Sequence, residues 1–225
     1  MIETIEISQL QEKYISGDFK IVRINTNFPI NEFKTIIDQY IDKHGVVNKD
    51  GYPNYKAIAL QYSDEANPFF DSVLSSDYSK AEKKIYYKKN TLAHELGLIY
   101  SEFSSVRLSR GRVIVAEPGF KMVEHTDGAH IHTLHIPITT SEHAGIIVDG
   151  ETYFMPADGS TYLLNATTPH AAFNHSKSES RMHITFPIGP PSFRNWKRSQ
   201  INLFKDYFEM MGTDIDLFNL NIIED

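Results

Sequence analysis

Two imidazoles and one carboxylate stand out for what they could do together. His125 and Asp127 are one residue apart in Glu124-His125-Thr126-Asp127-Gly128, and His170 follows Thr167-Thr168-Pro169. In an extended segment residues i and i+2 project from the same side, so His125 and Asp127 form a compact two-point clip. With a third donor such a set covers one face of a metal ion and leaves the opposite face open, an arrangement suited to Fe(II) working with O2. Arg181 lies downstream. Its planar fork can grip a carboxylate through two parallel charge-assisted hydrogen bonds, as an α-keto acid co-substrate would need.

A His-x-Asp pair alone is a weak signal in a chain with ten histidines. The third donor has three candidates. His170 enters the apolar run Ala171-Ala172-Phe173 and is the expected donor. His175 precedes the polar turn Ser176-Lys177-Ser178-Glu179-Ser180 and reads as exposed. His183 shares a face with Arg181 by alternation and reads as a core histidine, with pocket lining as the other reading. His135, in Leu134-His135-Ile136-Pro137-Ile138, is either a core histidine bonded to backbone or a second donor to a co-substrate carboxylate. Asn165 and Asn174 flank His170 and either orient it or end strands.

The elements that must hold these residues are short. Residues 20–25 alternate as a strand. Residues 30–42 carry Phe33, Ile36, Ile37, Tyr40 and Ile41 at helical spacing, with Asn31 as the expected cap. Residues 55–62 read as a strand, 63–90 give no clear period, and 91–103 read as a helix with Leu92, Leu96, Ile99 and Phe103 as its stripe. From 106 the texture changes to brief β-runs at 106–116, 133–139, 145–148, 151–155, 160–165, 171–174 and 181–187. Turns such as Asp149-Gly150 and Asp158-Gly159 break them. That pattern predicts a mainly β fold, a jelly roll supported by N-terminal helices. It divides a single domain, 1–225, into a mixed α/β supporting region (1–105), a jelly-roll catalytic core (106–190) and a C-terminal helical extension (191–225). In the extension, Ile201, Phe204, Phe208 and Met211 form a stripe that serves a core or a homodimer face.

Composition removes several alternatives. The chain has 225 residues and no cysteine, which excludes disulfide scaffolds and thiolate metal sites and fits a cytoplasmic setting. The net charge is −7, and no basic face beyond Lys83, Lys84, Lys88 and Lys89 suggests nucleic acid as a partner. No run is long enough to span a membrane, and the N-terminus lacks a signal peptide's basic and apolar regions. Tyr52, Tyr55, Tyr86 and Tyr87 could line a mouth, but tyrosines more often pack partly buried.

Taken together, residues 113–127, His135-Ile136-Pro137-Ile138, Tyr162-Leu163-Leu164-Asn165, His170-Ala171-Ala172-Phe173-Asn174 and Arg181-Met182-His183-Ile184 resemble the aspartyl/asparaginyl β-hydroxylase family of 2-oxoglutarate-dependent oxygenases. They are also similar to some free-proline hydroxylases. The resemblance implies a double-stranded β-helix, Fe(II) held by His125, Asp127 and His170, and 2-oxoglutarate bound by Arg181 with His135 beside it. It implies hydroxylation of an unactivated C–H bond of an amino acid, peptide or related small molecule, consuming O2 and releasing succinate and CO2. Thr133 stands where some members carry arginine. Asp127 is present where some protein-directed members lack it, which tilts the expectation toward small molecules. The competing expectation is a cupin-like metal-binding protein or isomerase that does not use 2-oxoglutarate, since cupins also place histidines and carboxylates on a jelly roll.

Overall fold

A computed structural model describes residues 2–48, 52–62, 88–128, 130–206 and 220–223. Strand β1 (Glu3–Ile5) and helix α1 (Leu10–Ser16) lead into β2 (Ile21–Ile24), helix α2 (Ile30–His44), β3 (Val47–Asn48), β4 (Tyr55–Ala59), and the short pair β5 (Gln61–Tyr62) and β6 (Lys88–Lys89). Two short helices, Thr91–Glu95 and Gly97–Glu102, precede the remaining strands. These are β7 (Arg112–Ala116), β8 (His132–Thr139), β9 (Ala144–Val148), β10 (Glu151–Tyr153), β11 (Thr161–Leu164), β12 (His170–Asn174) and β13 (Arg181–Ile188). Strand β14 (Asn195–Lys197), a helix at Arg198–Leu203 and β15 (Asn221–Ile223) close the described chain.

Eight strands pair in the order β1-β2-β11-β8-β13-β7-β4-β3. All neighbours are antiparallel except β1 beside β2. A smaller sheet, β10-β9-β12, faces it. Residues 119–127 run antiparallel along β12: Gly119 N–H donates to the Asn174 carbonyl, Met122 N–H to Ala172, and His125 and His170 exchange both backbone hydrogen bonds. The smaller sheet thus gains a fourth, irregular edge. Two facing, mostly antiparallel sheets whose neighbouring strands are distant in sequence make the double-stranded β-helix, or jelly roll.

Strand alternation gives the large sheet two different faces. On the outer face Leu134, Ile136, Ile138, Met182, Ile184 and Phe186 pack with Leu10 and Tyr14 of α1 and Phe33, Ile37 and Tyr40 of α2 in one extensive core. Each fully buried aliphatic or aromatic side chain there contributes about 1.5–3 kcal/mol. Among the described residues the inner face has two small apolar clusters. One joins Ile21, Tyr162 and Leu164 to Ile146 and Val148; the other joins Tyr55, Ala57, Ala59, Ala116 and Phe120. Between them lie polar side chains.

Local chemistry explains most boundaries. Helix α2 buries Phe33, Ile37 and Tyr40, carries Glu32 in its first turn and Lys43 and His44 in its last, as the helix dipole favours. It begins at Ile30 after Pro29, so Asn31 lies inside the helix rather than capping it. Helix α1, which the sequence reading missed, ends at Gly17, whose φ of 61° is the left-handed C-terminal conformation glycine adopts readily. The expected helix over 91–103 is interrupted at Leu96, just before Gly97, yet Leu92, Leu96, Ile99 and Phe103 are all buried as its stripe requires. The expected strand over 55–62 breaks at Leu60, whose N–H turns to the Gly111 carbonyl. The run over 106–116 is regular only from Arg112, with Val106 bridging to Phe193. In the C-terminal stripe Ile201 and Phe204 are buried, while Phe208 and Met211 lie outside the described residues, as do Tyr86 and Tyr87. No helix among the described residues is long and apolar enough to cross a membrane.

Candidate functional site

The reciprocal hydrogen bonds between His125 and His170, 3.0 and 2.8 Å, make them direct cross-strand neighbours. Their rings lie 4.4 Å apart between centroids. Two residues on, Asp127 is held by its N–H on the Ala166 carbonyl at 2.8 Å, and its carboxylate comes within 3.9 Å of His125 Nε2. One ligand atom from each of His125, Asp127 and His170 lies within 4.8 Å of the other two. The clip and the distal histidine, far apart in sequence, therefore meet through strand pairing.

Both rings have a defined tautomer. His125 Nδ1 lies 2.9 Å from the Val123 carbonyl and His170 Nδ1 lies 2.9 Å from the Thr168 carbonyl. A carbonyl only accepts, so each Nδ1 carries a proton and each Nε2 is the ring nitrogen left available to a metal. Backbone bonds of this kind orient imidazoles for metal ligation. The flanking asparagines do not perform that task. Asn165 donates to the carbonyls of Gly17 and Phe19, and Asn174 to those of Ala116 and Glu179. They tie loops instead.

A second group of polar residues lies on the inner face of the large sheet. Arg181 is 5% exposed, with its guanidinium 3.1 Å from His183 Nδ1; His183 Nδ1 in turn lies 3.4 Å from His135 Nδ1. Burial lowers the Arg181 pKa to about 10, which leaves it cationic near neutrality. Burial, reinforced by the Arg181 charge, holds His135 and His183 well below the usual imidazole value, so both are neutral. Among the described residues no carboxylate comes within ion-pair distance of Arg181, and Nε2 of both His135 and His183 is buried without a hydrogen-bond partner. A buried cation and two unpaired buried nitrogens are costly unless a ligand completes them. The arrangement suits a carboxylate-bearing molecule.

His183 therefore belongs to a polar pocket wall as well as to the interior; its i+2 relation to Arg181 was the available signal. The strand reading missed Arg112, which shares the inner face with Ala116 by the same alternation. His175 is exposed and stacks on Phe173. Tyr55 is buried, with its ring 5.5 Å from Phe120.

Comparison with known proteins agrees with this architecture. Residues 80–191 match the sequence profile described as aspartyl/asparaginyl beta-hydroxylase. No curated protein matches the chain. Among solved structures, HygX from Streptomyces hygroscopicus with nickel and 2-oxoglutarate bound aligns with a TM-score of 0.52 at 12% identity, covering 82% of this chain and 89% of that one. An oxidoreductase of the 2OG-Fe(II) oxygenase family from Burkholderia pseudomallei aligns at 0.47 and 11% identity, covering 86% and 97%. At 12% identity the likeness to HygX speaks to fold alone. The chain is thus aspartyl/asparaginyl β-hydroxylase-like in sequence over residues 80–191, and its fold is the jelly roll seen in HygX.

Proposed function

We propose that the protein is an Fe(II)- and 2-oxoglutarate-dependent dioxygenase that hydroxylates an unactivated C–H bond of an amino acid, peptide or related small molecule. The single observation that carries this is the pairing of a His125–Asp127–His170 cluster with a buried, unneutralised Arg181 in the same sandwich. The first would hold the metal through two Nε2 lone pairs and a carboxylate oxygen. The second would receive the distal carboxylate of 2-oxoglutarate. His135, whose buried Nε2 has no partner, is the additional polar group facing that co-substrate.

Bound together, iron and 2-oxoglutarate supply the oxidising chemistry that places one oxygen atom of O2 in a C–H bond while the keto acid leaves as succinate and CO2. The chain's own contribution is positional. Val123 and Thr168 lock the two imidazoles in the ligating tautomer. Neutral His135 and His183 leave the Arg181 charge uncancelled at its end of the inner wall, so an anion is drawn there rather than a cation. His170 is buried while His125 and Asp127 keep partial exposure, so the cluster opens toward solvent on one side. We also propose that 1–105, 106–190 and 191–225 work as one domain, since β1 to β4 complete the sheet that carries Arg181. A cytoplasmic setting suits the cysteine-free chain.

Calorimetry tests the reading against a cupin-like protein that makes no use of 2-oxoglutarate. The expected result is 2-oxoglutarate binding that requires Fe(II) or a redox-inert substitute, succinate formation with O2, and an Arg181→Gln variant whose 2-oxoglutarate dissociation constant rises about tenfold or more. Metal binding without any response to 2-oxoglutarate would favour the cupin-like alternative.

A further inference from the structure

Arg181 is not the only cation on the inner face. Register places Arg23, Tyr162, His135, Thr185 and Arg112 in one continuous row across β2, β11, β8, β13 and β7. Arg23, at one end, already bonds Ser160 and Asp158. Arg112, at the other, has no ion pair or side-chain hydrogen bond among the described residues, and its Nε is buried without a partner. Its backbone is firmly placed. Gly111 N–H donates to Gln61 Oε1 at 2.8 Å, the Gly111 carbonyl accepts from Leu60, and a Cβ at Gly111 would meet the Phe186 ring at 2.3 Å. This is a built position for a guanidinium.

The two arginines occupy different levels of the sandwich. Arg181 pairs with Ala116, whose carbonyl accepts from Asn174, and Asn174 pairs with Phe120 at the start of the 119–127 edge. Arg112 pairs with Thr185, four residues further along β13, which is about 13 Å. Travelling the same way along the opposite edge leads from Phe120 to the His125–His170 pair and then to Asp127 beside Ala166. Ala166 follows Asn165, which bonds Lys20 at the foot of β2. By backbone register Arg112 therefore lies at the level of the histidine cluster, while the Arg181 backbone lies at the far end and its guanidinium reaches back to His183.

Building on the oxygenase reading, we infer that Arg112 is a specificity-determining residue that binds a carboxylate on the primary substrate. A co-substrate reaching from the cluster to Arg181 leaves the Arg112 fork unused, and a planar fork at the level of the reacting centre selects a planar anion. The substrate class is a small carboxylic acid, such as a free amino acid, held so that its carboxylate points to β7.

The test uses the full chain loaded anaerobically with Fe(II) and 2-oxoglutarate. Calorimetry measures binding of free amino acids and short organic acids, each against its matched carboxamide. At least one acid should bind about tenfold or more tightly than its amide. Arg112→Gln should erase that preference, Arg112→Lys should retain part of it, and both should bind 2-oxoglutarate within about threefold of the unsubstituted protein. Should Arg112→Gln fail to fold, the acid–amide comparison and Arg112→Lys still decide. Equal binding of acids and amides, no binding by any acid in the panel, or a tenfold loss of 2-oxoglutarate affinity in Arg112→Lys would each overturn the assignment. Those outcomes, with 2-oxoglutarate binding intact in the unsubstituted protein, leave the oxygenase reading standing; metal-dependent 2-oxoglutarate binding that is missing altogether removes both.

Discussion

The two faces of strand β13 show how one stretch of backbone serves opposite purposes. Met182, Ile184 and Phe186 turn outward into the helix-covered core, while Arg181, His183 and Thr185 turn inward between the sheets. Both sets are buried. The outward set is stabilising because it removes apolar surface from water. The inward set carries a charge and unpaired nitrogens that a structure selected for stability alone would replace with aliphatic side chains. Buried polarity set against buried apolarity within one strand separates the part of the molecule that folds it from the part fitted to a ligand.

Substitutions on the two faces should separate stability from binding. The largest effect is expected for Phe186→Ala on the outer face, about 3–5 kcal/mol of unfolding free energy measured by urea titration. His170→Ala, in the His125–Asp127–His170 group of the smaller sheet, should leave the urea midpoint nearly unchanged. It should instead weaken Fe(II) or Co(II) binding about 100-fold or more in a metal titration. If His170→Ala unfolded the chain while Phe186→Ala did not, the division of labour between the faces would be wrong.

The smallest effect concerns acid. His132 lies beneath α1, edge-on to Tyr14 and Phe19, and burial lowers its pKa to about 4. In the unfolded chain it titrates near 6.5. Between those values the unfolded state binds the extra proton, so stability is full above about pH 6.5 and declines as pH falls toward 4, by at most about 1.4 kcal/mol per pH unit. His135 and His183 act with the same sign. His132→Phe should reduce the loss between pH 7 and pH 5 in paired urea titrations; an unchanged slope would place the acid sensitivity in the inner histidines.

Much of this was legible from residue order because it depends on neighbours one to four positions apart. Turn residues and short alternating runs gave the jelly roll, and the i and i+2 rule put His125 with Asp127 and Arg181 with His183. The stripe Leu92, Leu96, Ile99 and Phe103 was buried as read, even though the helix beneath it breaks at Leu96. Helix α1 escaped notice because its seven residues are too short for a clear period. For the asparagines beside His170 residue order left two readings open, orienting the ring or ending strands, because their partners, Gly17, Phe19 and Ala116, are remote in sequence.

Alone, the sequence determined which side of each strand a residue occupies and which donors were available, because both follow from local backbone geometry. Only the tertiary structure decided which strands became neighbours. That choice set His170 against His125, laid Tyr162, His135, Thr185 and Arg112 in one row, and put Arg181 at the opposite end. Register between distant strands is chosen by the packing of whole faces, which no short window of residues contains.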